Sequence, residues 1–376
     1  MANTPDIHPS HESPGSAGVP PAPWNCSHYS TGPASREPKT VTRRRDAGAP
    51  RNCAPVQGFK AQIDSGKYHP IFLAGPTAVG KSEIALRLAE QLGGEIISAD
   101  SMQVYRGLDI GTAKPSPADR ARVPHHLIDI CDLTESFDAA QFARLAHCAV
   151  AKIQARGRVP ILCGGTGLYF RAFLEGLGEA PPADATLRAE LEATPLEKLL
   201  AELRERDPAA YEKIDKKNPR RVIRAVEVIR LTGKPFSAQR AEWNSCHLSP
   251  VTCHFYCFTR SPADLHARIN TRVDTMFARG LVDETRELLK HGLAENKTAM
   301  QAIGYRQVVD YLRGEPRKLS GLPETIELVK IRTRQFAKRQ LTWFRAQPDT
   351  QWLELKPDDP PEKWLPEISR AIRKQN

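Results

Sequence analysis

No stretch of the chain stays apolar for the ~18 residues that a membrane-spanning helix needs, which excludes an integral membrane protein. There is no CxxC pair, and the eight cysteines follow no regular spacing. That scatter does not fit a secreted disulfide framework, so a reducing compartment, the cytoplasm, is expected. Internal repeats are absent as well. What is present, 40% hydrophobic and 26% charged residues over 376 positions, excludes a wholly disordered chain and leaves room for two or three folding units.

Residues 1–68 lack something more specific. Apolar periodicity nowhere lasts a full turn there, while ten of the 31 prolines fall in this stretch. Too little apolar surface is available to offset the ordering entropy, so a disordered tail is expected. The tail has no basic start followed by an apolar stretch, as a secretory signal would. Asp6, Glu12 and Glu37 interrupt the acid-poor composition of a mitochondrial transit peptide. A dispensable tail or an over-extended gene start is the expectation.

From Tyr68 onward the pattern is different. Ile71–Ala74 reads as a short buried strand, Ser82–Gln91 as a helix, Glu95–Ala99 as a second strand and Leu127–Ile130 as a third. A helix over Phe137–Arg156 and a strand over Val159–Cys163 continue the alternation, which predicts a parallel sheet with helices on both faces: an α/β fold. After Pro181-Pro182 the alternation stops, and 186–245 reads as helical and charged. A strand returns at Val251–Thr259, helical periodicity resumes over 262–313 and 323–345, and Trp352–Leu355 reads as a last edge strand. The expected organisation is a core in two parts, 69–183 and 249–356, a helical insertion at 184–248 and a tail at 357–376.

The sharpest local signal is Gly75-Pro76-Thr77-Ala78-Val79-Gly80-Lys81-Ser82, which satisfies G-x-x-x-x-G-K-[ST] between a strand and a helix. Such a P-loop curls so that amides converge on phosphate oxygens. The helix N-terminus and Lys81 add positive charge, and the Ser82 hydroxyl is a candidate Mg²⁺ ligand. The motif reports a phosphate chain and is silent on whether a nucleotide carries it. Asp100, at the end of the next strand, lies where doubly wound sheets place chemistry, and is a candidate metal holder or general base. Gly164-Gly165-Thr166-Gly167 follows another strand and offers further amides and a hydroxyl; alone it is a plain strand-to-helix turn.

The formal charge of +10, from 54 basic against 44 acidic residues, favours a polyanionic partner. Lys213–Arg230 and the acid-free Lys330–Arg345 concentrate it, with Trp343 and Phe344 beside the latter. Basic charge next to aromatics suits RNA phosphates and unpaired bases. Cys246, His247, Cys253, His254 and Cys257 cluster in sequence. Strand alternation, however, puts Cys253, Phe255 and Cys257 on one face and His254 with Tyr256 on the other, a poor arrangement for a tetrahedral zinc.

Taken together, seven segments resemble the tRNA dimethylallyltransferase (tRNA isopentenyltransferase) family. They are Gly-Pro-Thr-Ala-Val-Gly-Lys-Ser (75–82), Ile-Ser-Ala-Asp-Ser-Met-Gln-Val-Tyr (97–105), Asp-Ile-Gly-Thr-Ala-Lys-Pro (109–115), Gly-Gly-Thr-Gly-Leu-Tyr (164–169), Asn-Pro-Arg-Arg-Val-Ile-Arg-Ala (218–225), Ala-Ile-Gly-Tyr-Arg-Gln (302–307) and Ala-Lys-Arg-Gln-Leu-Thr-Trp-Phe-Arg (337–345). They occur in order between about 70 and 355, outside the tail, and no C-terminal zinc finger of the eukaryotic sort follows, so the resemblance is to the bacterial type. It implies a P-loop NTPase-like sheet with a tRNA-clamping helical insertion. It also implies dimethylallyl transfer from dimethylallyl pyrophosphate to N6 of the adenosine beside the tRNA anticodon, with Mg²⁺ and with no membrane partner. Asp100 is the implied base, Lys81, Ser82 and Arg272 hold the leaving group, and Thr77 and Thr166 complete the site. The implied tRNA contacts are Asp100, Ser101, Met102, Gln103, Thr166, Arg188, Arg220, Arg221, Val222, Ile223, Arg224, Gln301, Gly304, Tyr305 and Arg306. A monomer is expected. The residues alone leave three rivals open: a P-loop small-molecule kinase, a prenyltransferase acting on free adenine nucleotides, and a non-catalytic RNA-binding module.

Overall fold

Short apolar runs between glycine-containing turns make the strands, and charged amphipathic runs make the helices. The computed structural model describes residues 69–178, 180–239, 254–314, 321–347 and 350–373. The tail expected over 1–68 and the residues Cys246, His247 and Cys253 lie outside the described residues. β1 (Ile71–Ala74) leads into α1 (Lys81–Leu92), and β2 (Glu95–Ala99) follows. Next come α2 (Pro117–Arg122), β3 (His125–His126), α3 (Ala139–Ala155), β4 (Pro160–Gly164) and α4 (Gly167–Glu175). Five helices succeed one another without a strand: α5 (Ala185–Ala193), α6 (Leu196–Arg206), α7 (Pro208–Lys213), α8 (Pro219–Thr232) and α9 (Phe236–Gln239). β5 (His254–Thr259) returns to the sheet, followed by α10 (Pro262–Ala278), α11 (Leu281–Leu289), α12 (Tyr305–Leu312), α13 (Leu322–Arg345), β6 (Gln351–Glu354) and α14 (Leu365–Arg373).

The six strands form one sheet of order β3-β2-β4-β1-β5-β6, and every pairing is parallel. β1, β2 and β4 are buried at every position, as strands covered on both faces must be. Side-chain alternation sorts the core in two. Phe72, Ile97, Leu162, Phe255 and Cys257 face α3, α4 and the C-terminal part of α13. Ile71, Leu73, Ile161, Tyr256 and Phe258 face α1 and α14. The alternation expected of the fifth strand therefore holds over its described residues. Among the described residues no helix is long and apolar enough to cross a membrane.

Two expectations fail, each for a local reason. Leu127–Ile130 is not a strand: pairing with β2 stops at His126, and Leu127 and Asp129 take left-handed φ of 61° and 56°, a region that non-glycine residues seldom enter. Asp129 is fixed there by Lys114 at 2.5 Å and by Arg120 at 2.7 Å, and Lys114 is 2% exposed. Two ion pairs, with Lys114 buried and Asp129 and Arg120 partly exposed, hold a bend against the β-propensity of the surrounding residues. The second is 357–376, expected as a tail: its helix α14 buries Leu365 and Ile368 against the α1 face of the sheet.

α5 to α9 build their own core from Leu191, Leu199, Leu203, Val222, Val226 and Ile229. Asp184, Asp207 and Asn218 cap α5, α7 and α8 by accepting from the amides of Leu187, Ala210 and Arg221, which satisfies N-terminal donors that helices leave open.

Candidate active site

Because all strands run in parallel, their C-terminal ends share one edge, and β1, β4 and β2 are adjacent there. Ala74 lies opposite Gly164, and Gly164 opposite Ala99, so the P-loop, the 164–167 turn and the Asp100 turn emerge side by side. Gly164 is required by that closeness, since a Cβ on it would fall 2.1 Å from the Ala99 carbonyl oxygen.

Cations hold the P-loop carbonyls. Lys81 Nζ donates to Pro76 O at 3.1 Å, Arg268 Nε to Ala78 O at 3.0 Å and Arg260 Nε to Val79 O at 2.8 Å. In a trans peptide the C=O and N–H point in opposite directions, so the Val79 and Gly80 amides face away from these arginines. α1 starts at Lys81, and its first amides have no partner within the helix. Gly80 reaches this geometry with φ of 106°. The result is a set of N–H groups at a helix N-terminus, which is an anion site by construction.

A cavity of about 400 Å³ opens beside this cradle, lined among others by Thr77, Lys81, Ser82, Asp100, Thr166 and Arg272. Burial pulls the pKa of the Lys81 ammonium below its usual value, with Arg272 adding to the effect and Cys163 and Asp100 opposing it. Burial likewise lowers Arg272, with Asp100 opposing. Two cations with their charged forms disfavoured make a pocket that an arriving anion stabilises. Asp100 Oδ1 accepts from the amides of Met102 at 2.8 Å and Gln103 at 3.3 Å, and Oδ2 has no partner among the described residues. Thr166 Oγ1 accepts from the Ser101 amide at 3.2 Å, tying the 164–167 turn to the Asp100 turn.

Of the residues singled out as nucleic-acid contacts, Asp100, Ser101, Met102, Gln103, Thr166, Arg220 and Gln301 line the same cavity. Others do not. Val222 is 0% exposed in the core of the helical insertion, so its side chain presents nothing to a ligand, and Ile223 packs against that core. Arg188 and Arg224 both pair with the fully buried Glu227, at 2.5 and 2.7 Å. Tyr305 is buried, its hydroxyl donating to Glu284 and accepting from the Gly111 amide at 3.0 Å. Arg221 and Arg306 are exposed outside the cavity lining, and Gly304 turns the chain with φ of 98°.

The structure adds residues that the sequence did not mark. Arg260 and Arg268 orient the P-loop. Glu284 accepts from the Ile110 amide at 3.0 Å and, with Tyr305, holds the 109–114 loop, whose Thr112 carbonyl accepts from Arg272 at 3.4 Å. Burial raises the pKa of the Glu284 carboxyl, against hydrogen bonds that lower it. Gln340 joins the P-loop to the 164–167 turn. Val273, Met276 and Phe336 give the cavity an apolar wall.

Comparison with known proteins shows the family. The sequence profile of the IPP transferase family matches residues 103–347. A tRNA dimethylallyltransferase of Geobacter sulfurreducens is 47% identical over 76% of this chain and 91% of its own length. One from Halorhodospira halophila is 49% identical over 74% and 90%. Among solved structures, the full-length tRNA isopentenylpyrophosphate transferase of Bacillus halodurans superposes with a TM-score of 0.60 at 40% identity, covering 82% of this chain and 98% of that one. A eukaryotic dimethylallyltransferase acting on tRNA superposes with 0.65 at 27% identity, covering 81% and 79%. A profile spanning well over half the chain and relatives matched along nine-tenths of their length place it in the IPP transferase family, as a tRNA dimethylallyltransferase.

Proposed function

We propose that this chain moves a dimethylallyl group from dimethylallyl pyrophosphate to N6 of the adenosine beside the anticodon in tRNA and releases pyrophosphate. The carrying observation is the juxtaposition at one sheet edge of a cationic amide cradle, an apolar wall and the Asp100 carboxylate. The cradle suits a diphosphate, the wall of Val273, Met276 and Phe336 suits a five-carbon tail, and the carboxylate suits the proton that must leave N6.

The bond from the allylic carbon to the bridging oxygen breaks as the carbon–N6 bond forms, and the electron pair leaves with pyrophosphate. Lys81, Arg272 and the amides at the start of α1 stabilise the charge that develops there. The exocyclic amine is a weak nucleophile because its lone pair is shared with the ring. It must therefore be held against the allylic carbon, and its proton passes to Asp100. Thr166 and the amides of Met102 and Gln103 hold the turn that carries this carboxylate. Ser82 and Asp100 present hard oxygen donors to the cavity, a set that fits Mg²⁺ when phosphate oxygens and water complete the shell. Ser82 would hold that ion, which when bound neutralises charge on the leaving group.

For the nucleic acid, exposed Arg220 and Arg221 and the cavity-lining Gln301 and Arg339 offer phosphate and base contacts at the mouth. Reaching a stacked loop base requires extruding it toward Asp100. The test is incubation of the full chain with labelled dimethylallyl pyrophosphate and unmodified tRNA. Label on N6 supports the reading. ATP turnover on a small metabolite without label on tRNA overturns it, and competition by excess AMP would redirect it to free nucleotides.

A further inference from the structure

Gln340 sits on α13, a helix whose basic residues draw attention to solvent, yet Gln340 itself is 8% exposed. Its Oε1 accepts from the Thr77 amide at 2.9 Å, and its Nε2 donates to the Gly165 carbonyl at 2.8 Å. One planar group thus engages the P-loop with one end and the 164–167 turn with the other, and its length sets the gap between them. The fit is close: a Cβ on Gly165 would lie 2.3 Å from Gln340 Nε2.

Two consequences follow from the same contact. Thr166 adjoins Gly165 and binds the Ser101 amide next to Asp100, so the bridge is connected to both the anion-holding and the proton-accepting sides. Pro76 has no N–H, and the Thr77 N–H is occupied by Gln340. The Pro76–Thr77 limb of the loop therefore has no amide left for phosphate, while the Val79 and Gly80 amides and those at the start of α1 remain.

We propose that Gln340 is a positioning residue that keeps the cradle in a diphosphate-gripping shape and withholds the Thr77 amide from a longer phosphate chain. The identity of the diphosphate rests on the prenyl-transfer reading above. The experiment is calorimetric binding of pyrophosphate, tripolyphosphate and an anticodon stem-loop RNA to the full chain, for wild type, Gln340→Glu and Gln340→Met. The glutamate keeps an acceptor for Thr77 but sets an oxygen against the Gly165 carbonyl, and the methionine frees both loops. Each substitution is expected to weaken pyrophosphate about tenfold, the scale of one net hydrogen bond. Gln340→Met should also move the pyrophosphate-to-tripolyphosphate ratio toward tripolyphosphate. RNA affinity should fall less than pyrophosphate affinity, because the RNA's phosphate contacts lie outside the bridge. An unchanged ratio and pyrophosphate affinity, or equal losses for all three ligands, would overturn the proposal. So would unfolding of both variants by circular dichroism, which would make Gln340 a fold-holding contact. Wild type that binds pyrophosphate but puts no label on tRNA would defeat the prenyl-transfer reading alone, leaving Gln340 to be judged by the ratio.

Discussion

The P-loop edge of the sheet and the helical insertion are built on opposite rules. At the edge, function is a matter of backbone: Gly80 turns, Gly164 touches Ala99, and amides point where carbonyls do not. In the insertion, helices of ordinary geometry carry function only through which side chains remain exposed. Arg220 and Arg221 are exposed, whereas Arg188 and Arg224, on the same layer of helices, neutralise Glu227. A motif therefore names the candidate residues of the first region and only the neighbourhood of them in the second.

The largest expected effect breaks the edge. Asp100→Ala should lower the rate of transfer by about 10²–10⁴, the range for losing a general base, and lower tRNA affinity far less. Single-turnover kinetics with a parallel binding assay check this. Lys81→Ala should act on the same edge by weakening pyrophosphate, and unchanged kinetics would refute the cradle role.

Glu227→Gln tests the insertion's internal charge. It leaves two guanidinium groups beside an uncharged buried amide and should destabilise the folded chain by roughly 3 kcal/mol. Thermal unfolding is the measurement, and an unaltered melting temperature would show that pairing with Arg188 and Arg224 adds nothing to the stability of the insertion.

Glu284→Gln is expected to be milder and to depend on pH. The Glu284 carboxyl has a folded pKa above its ordinary 4.5 because burial disfavours the charge. The folded state thus binds the proton more tightly than the unfolded one, so this group's stabilising contribution is complete below pH 4.5 and is lost as pH rises through the folded value. The variant should gain stability relative to wild type over that rise, and parallel stability–pH curves would contradict it. Smallest of all, Arg221→Ala should reduce the slope of log affinity for tRNA against log salt by about one phosphate contact. An unchanged slope would place Arg221 away from the backbone.

This contrast also explains what could be read in advance. The P-loop, the Asp100 turn and the glycine turn at 164 were legible because each is a short run whose residue types announce its shape, although Arg260, Arg268 and Gln340 hold them from outside the motifs. Leu127–Ile130 misled because the ion pairs that bend it come from Lys114 and Arg120, on a preceding segment. Gln340 was hidden among lysines and arginines, and its partner Thr77 is 263 positions away. Glu284 is one of several acids on an amphipathic helix, and only its contact with Ile110, 174 positions away, sets it apart. Val222 and Tyr305 belong to recognisable motifs because they hold those motifs in shape from within the core.

The central claim is tested most directly by following label from dimethylallyl pyrophosphate in the presence of tRNA and ATP together, for wild type and Asp100→Ala. Label appearing on the N6 of one tRNA adenosine with wild type, with ATP untouched and the variant silent, is the predicted result. ATP consumed while the tRNA stays unlabelled would contradict it.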